Sequence, residues 1–258
     1  MNEIKTTIQQ IADVLLLNGG FLKNQGLYSG EMSLVLFFAR YARFTQNNQY
    51  LEYSYGLTHK IQDRIHRDTP ISYKEGLSGI GSAIEYLVQN GFFVADTDDV
   101  LEDFDKRIFF TYNLLALFPE ELMDIGYYAV WRLSGSSKNK DKIRTVLSQI
   151  VKACNKYDVG NYPAISFFGD LEKDKDLIIT PAWYQLCKKI MTNSLVERTY
   201  LHCRELITKN VFWNTSVGYQ NRLAGWGLNL LTELDGDDSW ISLFPNDFIL
   251  KENESLSV

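Results

Sequence analysis

The stretch GLSGIGSAIEYLVQNGF, residues 76–92, decides the fold because it opens with three glycines in six residues and continues as an amphipathic helix. Glycine is a poor helix former, so its repeated use at a helix start needs a physical reason. Apolar residues recur on one face of this helix, and Gly76, Gly79 and Ala83 share a neighbouring face of small residues. The pattern predicts that a neighbouring helix backbone packs closely against the small face. It also predicts that the glycines permit a loop-to-helix turn with positive φ.

Segments of the same kind recur along the chain. Glycine-opened helices are predicted to start at Gly26, Gly76 and Gly126, 50 residues apart each time. The segment TPAWYQLCKKI lies near the next expected position, and GYQNRLAGWGLNLLTEL, from Gly218, regains the glycine-rich form. Between them we expect more charged, amphipathic helices at 51–67, 97–118, 137–157 and 194–209. A repeat of one apolar and one amphipathic helix is typical of stacked helical hairpins.

Two all-α architectures fit such a repeat. One is an open solenoid, and the other is a closed α/α toroid in which the apolar helices surround a central cavity. The small residues of the inner series and the charged residues of the outer series favour the toroid. We therefore predict one domain over residues 1–258, an α/α toroid of roughly five hairpins.

Composition narrows the functional classes. The formal net charge of −6 and the lack of a basic stripe argue against a nucleic-acid partner. No apolar run approaches the roughly 20 residues that a membrane span requires. Three cysteines without close pairing suit a reducing compartment, so a cytoplasmic location is expected.

Three segments carry a resemblance to a known family. GLYSGEMSLVLFFARYAR, GLSGIGSAIEYLVQNG and GYQNRLAGWGLNLLTEL are similar to the glycine-rich inner-helix motifs of lanthionine synthetase C-like (LanC-like) proteins. The resemblance implies an α/α toroid, here with fewer hairpins than full-length members have. It also implies a role in peptide modification, in which the family's catalytic members add cysteine thiols to dehydrated residues of a precursor peptide.

The family's chemistry depends on zinc held by two Cys and one His, which lowers the thiol pKa. Those ligands come from a Trp-Cys-x-Gly segment and a Cys-His-Gly segment, and this sequence contains neither. Cys187 lacks the following glycine, His202-Cys203 has the reverse order, and Cys154 ends a predicted outer helix. We therefore expect no metal and no other cofactor, and we interpret the cysteines as core residues. His59 and His66, beside Asp63, are interpreted as a solvated polar face.

In a toroid, the N-termini of the inner helices converge at one mouth and offer unpaired N–H groups to carboxylates or peptide carbonyls. The residues expected to face this space lie in or just before the glycine segments. They are Tyr28, Glu31, Glu75, Ser78, Asp124, Tyr127, Trp183, Arg222 and Trp226.

Glu75 and Asp124 allow two interpretations. Both precede the first glycine of a repeat closely, so successive repeats could bring their carboxylates together, as a glycoside hydrolase requires. Acidic residues at helix N-termini also serve simply to cap the helix and complement its dipole, and this is the favoured interpretation.

Three functional hypotheses follow from the sequence. The first is a LanC-like protein without zinc that binds a precursor peptide or performs a zinc-independent step. The second is a carbohydrate-active toroid with paired carboxylates, and the third is a non-catalytic helical-repeat module. A gap in the shortened ring would expose apolar surface, so a partner protein or a second copy of the chain is expected to bind there.

Overall fold

The computed structural model describes residues 2–111, 113–155, 163–174, 179–191 and 223–245. Within these ranges the chain forms eleven α-helices and three short 3-10 helices, and it contains no β-strand. The prediction of an all-α protein is confirmed for these residues. The α-helices are α1 (Asn2–Asn18), α2 (Glu31–Thr45), α3 (Asn48–Asp63), α4 (Leu77–Gln89), α5 (Thr97–Val100), α6 (Glu102–Phe110), α7 (Pro119–Ser134), α8 (Lys140–Cys154), α9 (Pro163–Lys173), α10 (Ile179–Met191) and α11 (Leu223–Asp235). The 3-10 helices are Gly19–Phe21, Leu114–Ala116 and Ser239–Leu243.

Five helices, which we call the core helices, contain the glycine segments or their counterpart: α2, α4, α7, α10 and α11. They contact one another in series, because α11 packs on α2, α2 on α4, α4 on α7, and α7 on α10. Helices α2, α4 and α7 are buried along most of their length. Amphipathic helices α3 and α8 follow α2 and α7 and pack against them as hairpin partners. Apolar helices are therefore layered beneath amphipathic ones.

The ends of several helices differ from the sequence prediction. Helix α2 begins at Glu31, not at Gly26, and α7 begins at Pro119, so that Gly126 lies in the middle of the helix. Proline suits the first turn because its missing N–H would have no partner there, and the Glu121 side chain accepts a hydrogen bond from the Phe118 N–H at 3.0 Å.

The predicted outer helices are also modified. The segment 97–118 divides into α5, α6 and the 3-10 helix Leu114–Ala116. Helix α9 was not predicted, and the segment 194–209 lies outside the described residues.

The glycines serve a different purpose from the one predicted. A Cβ placed on Gly76 would collide with the backbone of Pro70, and one placed on Gly79 would collide with the Tyr73 carbonyl. These glycines therefore make room for the preceding loop, not for a neighbouring helix. The expected positive φ is also wrong, since the positive-φ glycines among the described residues are Gly91 and Gly236.

Glycines deeper in the core helices accept aromatic rings from adjacent helices. A Cβ on Gly81 would meet the Tyr128 ring, with the nearest carbon at 2.5 Å. A Cβ on Gly227 would meet Phe37, so α11 lies close to α2 because position 227 has no side chain. The small residues thus do bring core helices together, but through ring-to-glycine contacts.

The 3-10 helix Ser239–Leu243 joins distant parts of the core. It contacts both α4 and α10. The Tyr86 hydroxyl lies 2.9 Å from Ser239 Oγ, and the Trp183 indole N–H donates to the Ser242 carbonyl at 2.9 Å. Phe244, which follows, packs its ring against Tyr28 with centroids 5.1 Å apart. This segment therefore fills space between α2, α4 and α10.

None of the helices within the described ranges combines the length and the apolarity needed to cross a bilayer.

Candidate functional site

The predicted site residues lie near the N-terminal ends of the core helices. Tyr28 and Glu31 belong to the start of α2, and Glu75 and Ser78 to the start of α4. Asp124 and Tyr127 lie on α7, Trp183 on α10 and Trp226 on α11, whereas Arg222 lies outside the described residues. Glu75 is half-buried, and the other described members of the set are buried.

The aromatic members of the set pack as core. Tyr127 contacts Tyr73 and Trp183, with ring centroids 5.2 and 5.8 Å away. Tyr28 and Trp226 are 1% and 5% exposed, respectively. The structure therefore brings Tyr127 and Trp183 together, but as packed rings and not as the wall of an open cavity.

Tyr73 is a central residue that sequence analysis did not identify. It is fully buried just before α4, and the neighbours of its side chain include Ser82, Trp131 and Cys187, one from each of α4, α7 and α10. Burial is the main cause that raises the pKa of its phenol well above the ordinary value. The sequence feature that could have identified Tyr73 is its position in ISYKEG, directly before the glycine-rich helix.

Glu31 forms ion pairs with helix α3. Its fully buried carboxylate pairs with Lys60 at 2.9 Å and with Arg64, both from α3. The pairs fasten the start of α2 to its hairpin partner, since removing the two cations would leave the buried Glu31 carboxylate without compensation.

Glu75 belongs to the segment 73–75, and Asp124 contacts the same segment. Glu75 accepts a hydrogen bond from the Ser29 hydroxyl, and its second oxygen, Oε2, is buried without a hydrogen-bond partner among the described residues. Asp124 interacts with the backbone N–H of Tyr73 and with Lys74. Asp124 therefore packs against the loop that carries Glu75.

Asp124 has the most perturbed carboxyl group in this region. Its side chain is 8% exposed, and Oδ1 is buried without a hydrogen-bond partner in the described part of the chain. Burial raises the pKa of Asp124 from 3.8 to about 7, although the Tyr73 N–H and Lys74 oppose the shift. A carboxyl group with this pKa exchanges its proton near neutral pH, which is a property of acid–base residues and of ligand-binding carboxylates.

A buried charge cluster on the other side of α4 was not predicted. Arg132 of α7 is fully buried and contacts the carboxylates of Glu85, of Asp98 at 2.6 Å and of Asp105 at 2.9 Å. The Tyr128 hydroxyl donates to Asp105 at 2.6 Å. Burial raises the pKa of Glu85, while Arg132 acts in the opposite direction. The cluster ties α4, α5, α6 and α7 together, and its burial leaves no room for a ligand.

The described donor groups do not fit a zinc ion. Cys154 and Cys187 are buried on α8 and α10, and His59 and His66 are exposed. Among the described residues, no three His, Cys, Asp or Glu side chains are grouped so that they could hold a metal. His202 and Cys203 lie outside the described residues.

One open surface cavity of about 520 Å³ lies between α9 and α10. Its floor is apolar and its rim is polar. It is lined by Phe167, Asp170, Lys173, Asp174, Ala182, Gln185 and Leu186. None of the predicted site residues lines this cavity.

Comparison of the chain with protein-family models, with curated proteins and with solved structures finds no match.

Proposed function

We propose that this chain is a LanC-like protein whose core helices close into an α/α toroid, and that it binds a precursor peptide without a zinc centre. The observation that carries the proposal is the return of the last core helix to the first. Helix α11 packs on α2 and α1, and the 3-10 helix Ser239–Leu243 reaches α4 and α10. In a closed ring the last core helix must pack on the first, as α11 packs on α2.

The arrangement of helix starts supports peptide binding. The start of α4 and the first half of α7 carry Glu75, Ser78 and Asp124. Each of these three side chains has one buried polar atom without a hydrogen-bond partner in the described residues. Since the donor groups of the described residues do not fit a metal, the proposal includes no metal-dependent step, and thiol addition is not part of it.

A direct binding measurement tests the proposed function. Synthetic peptides that correspond to the short open reading frames flanking the gene are labelled with a fluorophore and titrated with the purified protein by fluorescence anisotropy. We expect saturable binding that weakens in Glu75→Gln and is unchanged in Glu52→Gln, a matched substitution at an exposed position of α3. Equal binding by both variants would place the contact elsewhere, and no binding by the wild type would remove the proposal.

The second candidate, a carbohydrate-active toroid, is favoured by one specific observation. The pKa of Asp124 is about 7, as in a general acid, and this side chain contacts the Tyr73 N–H, two positions before Glu75 in the sequence. Release of nitrophenol from aryl glycosides, abolished by both Glu75→Gln and Asp124→Asn, would establish this function. If the protein neither binds the peptide nor cleaves glycosides, a helical-repeat interaction module becomes the best description.

A further inference from the structure

The open cavity between α9 and α10 has an apolar floor that the core holds in place. The floor is made by Phe167 of α9 and by Ala182 and Leu186 of α10. The Phe167 ring packs against Trp183, with centroids 5.3 Å apart, and the Trp183 indole N–H donates to the Ser242 carbonyl at 2.9 Å. An apolar group that enters the cavity therefore meets a preformed surface, as in most small-molecule sites.

The rim of the cavity carries charges of both signs. Asp170 and Lys173 both line the cavity, and they lie three positions apart on α9, a spacing that places two side chains on one face of a helix. Both are exposed, and neither side chain forms a hydrogen bond or an ion pair with a residue in the described part of the chain. Asp174 and Gln185 complete the rim. A ligand in the cavity therefore meets one carboxylate and one ammonium group that are both available to it.

The size of the cavity suits a small organic molecule. Its volume of about 520 Å³ lies within the range of roughly 300–1,000 Å³ that is typical of ligand pockets. In such pockets the apolar surface supplies most of the affinity, and a few polar groups fix the orientation of the ligand. The floor and the rim described above divide these two tasks between them.

We propose that this cavity, which we call the zwitterion pocket, binds a free α-amino acid with a large apolar side chain. The ammonium group of the ligand pairs with Asp170, its carboxylate pairs with Lys173, and its side chain covers the apolar floor. An α-amino acid carries both charges on adjacent atoms beside its side chain, so it can reach both rim groups while the side chain lies on the floor. An apolar amine or an apolar carboxylic acid would leave one of the two rim charges without a partner.

The zwitterion pocket goes beyond the proposed function and does not depend on it. The peptide-binding proposal uses Glu75, Ser78 and Asp124, and none of them lines this cavity.

Titration with L-phenylalanine tests the pocket in the full chain. The amino acid is added to ¹⁵N-labelled protein at pH 7, and the backbone amide resonances of α9 and α10 are followed by NMR. We expect saturable shifts that centre on Asp170, Lys173 and Gln185.

Three related probes separate the parts of the ligand. Phenethylamine keeps the ring and the ammonium group, 3-phenylpropionate keeps the ring and the carboxylate, and glycine keeps both charges without an apolar side chain. The first two probes should bind about threefold more weakly than L-phenylalanine, because each loses one ion pair with an exposed partner. Glycine should bind more weakly by about tenfold or more, because it leaves the apolar floor uncovered.

Two substitutions remove the rim charges one at a time. Asp170→Asn and Lys173→Met should each weaken the binding of L-phenylalanine by about threefold. Asp170→Asn should not weaken the binding of 3-phenylpropionate, which has no ammonium group, and Lys173→Met should not weaken that of phenethylamine, which has no carboxylate. The matched controls Asp99→Asn and Lys142→Met, at exposed positions of α5 and α8, should leave the binding of L-phenylalanine unchanged.

Several results would overturn the zwitterion pocket. They are a lack of saturable shifts on α9 and α10, equal binding of L-phenylalanine and either of its singly charged analogues, and binding that is unchanged in Asp170→Asn or in Lys173→Met. The pocket and the proposed function can fail separately. If a flanking peptide binds and L-phenylalanine does not, peptide binding stands and the pocket is wrong, and the reverse result keeps the pocket and removes peptide binding.

Discussion

Replacement of Gly79 by alanine should destabilise the protein by about 2–4 kcal/mol, and this substitution tests why the core helices begin with glycine. The added Cβ would collide with the carbonyl oxygen and carbon of Tyr73, which are backbone atoms, and it would also lie 3.0 Å from Leu27 Cβ. A flexible side chain could turn away from such a contact, but a loop backbone must move as a whole.

The loop is held on several sides, which sets the magnitude. The Tyr28 N–H donates to the Lys74 carbonyl at 3.0 Å, and the Leu77 N–H donates to the Pro70 carbonyl at 2.9 Å. Moving the loop strains or breaks such bonds, at about 1 kcal/mol each. Overpacking of a tight site adds about 1–3 kcal/mol. Alanine regains at most about 1 kcal/mol through its higher helix propensity, so a net loss remains.

The assay is urea unfolding followed by circular dichroism at 222 nm, with Gly56→Ala as the matched control. Gly56 lies inside α3, and a Cβ there meets no atom within 4 Å. This control should gain about 0.5–1 kcal/mol from helix propensity alone. If Gly79→Ala gains stability as Gly56→Ala does, the close approach of the Tyr73 loop is wrong, and the small residues have no packing role at the helix start.

Three further predictions concern buried polar groups. The pKa of Asp124 is raised from 3.8 to about 7, so the folded state binds more protons than the unfolded state between these values and loses stability as pH rises through them. The free energy of unfolding falls by about 4 kcal/mol by pH 8. Asp124→Asn should remove this pH dependence of the free energy of unfolding, measured by urea unfolding. An unchanged pH dependence in the variant would contradict the raised pKa of Asp124. Arg132→Met should lower the free energy of unfolding by about 3–5 kcal/mol because it leaves three carboxylates without their cation. The control Lys106→Met, which removes an exposed ion pair on α6, should change the urea midpoint little. Burial raises the pKa of the Cys154 thiol to about 11, so alkylation of Cys154 by iodoacetamide, followed by mass spectrometry, should be negligible in native protein at pH 8 and complete in guanidinium; rapid native alkylation would contradict its burial.

Local sequence patterns predicted helix α4 well. The interval 76–92 contains α4, Leu77–Gln89, because a strong 3.6-residue apolar period and an opening glycine coincide there. The same reasoning is wrong for α7, because it predicts a start at Gly126 although Pro119 and Glu121 carry the start signals. The sequence alone does not tell whether a glycine lies inside a helix or before it. The difference depends on whether an aromatic ring or a loop backbone packs against that glycine in the folded protein.

The sequence pattern indicated which segments carry the candidate residues, but not what those residues contact. Sequence placed Glu75, Ser78 and Asp124 near the helix starts, which follows from the repeat. Each of these side chains has an oxygen without a hydrogen-bond partner among the described residues, and the sequence pattern does not reveal this. The Arg132 cluster could not be predicted from the sequence either. Its three carboxylates lie on separate helices and come together only in the folded protein.

The pairing of Arg40 with Asp235 has a consequence for how the protein acquires its structure during synthesis. Arg40 on α2 donates to both carboxylate oxygens of Asp235 at 3.0 Å, across 195 positions of the chain. At a translation rate of about 5–20 residues per second, on the order of 10–40 s separate the appearance of the two partners at the ribosome. During that delay, the surface of α2 that later packs against α11 has no partner. Folding of this part of the core must therefore finish after most of the chain has been synthesised, and chaperones that bind unfolded chains have time to act.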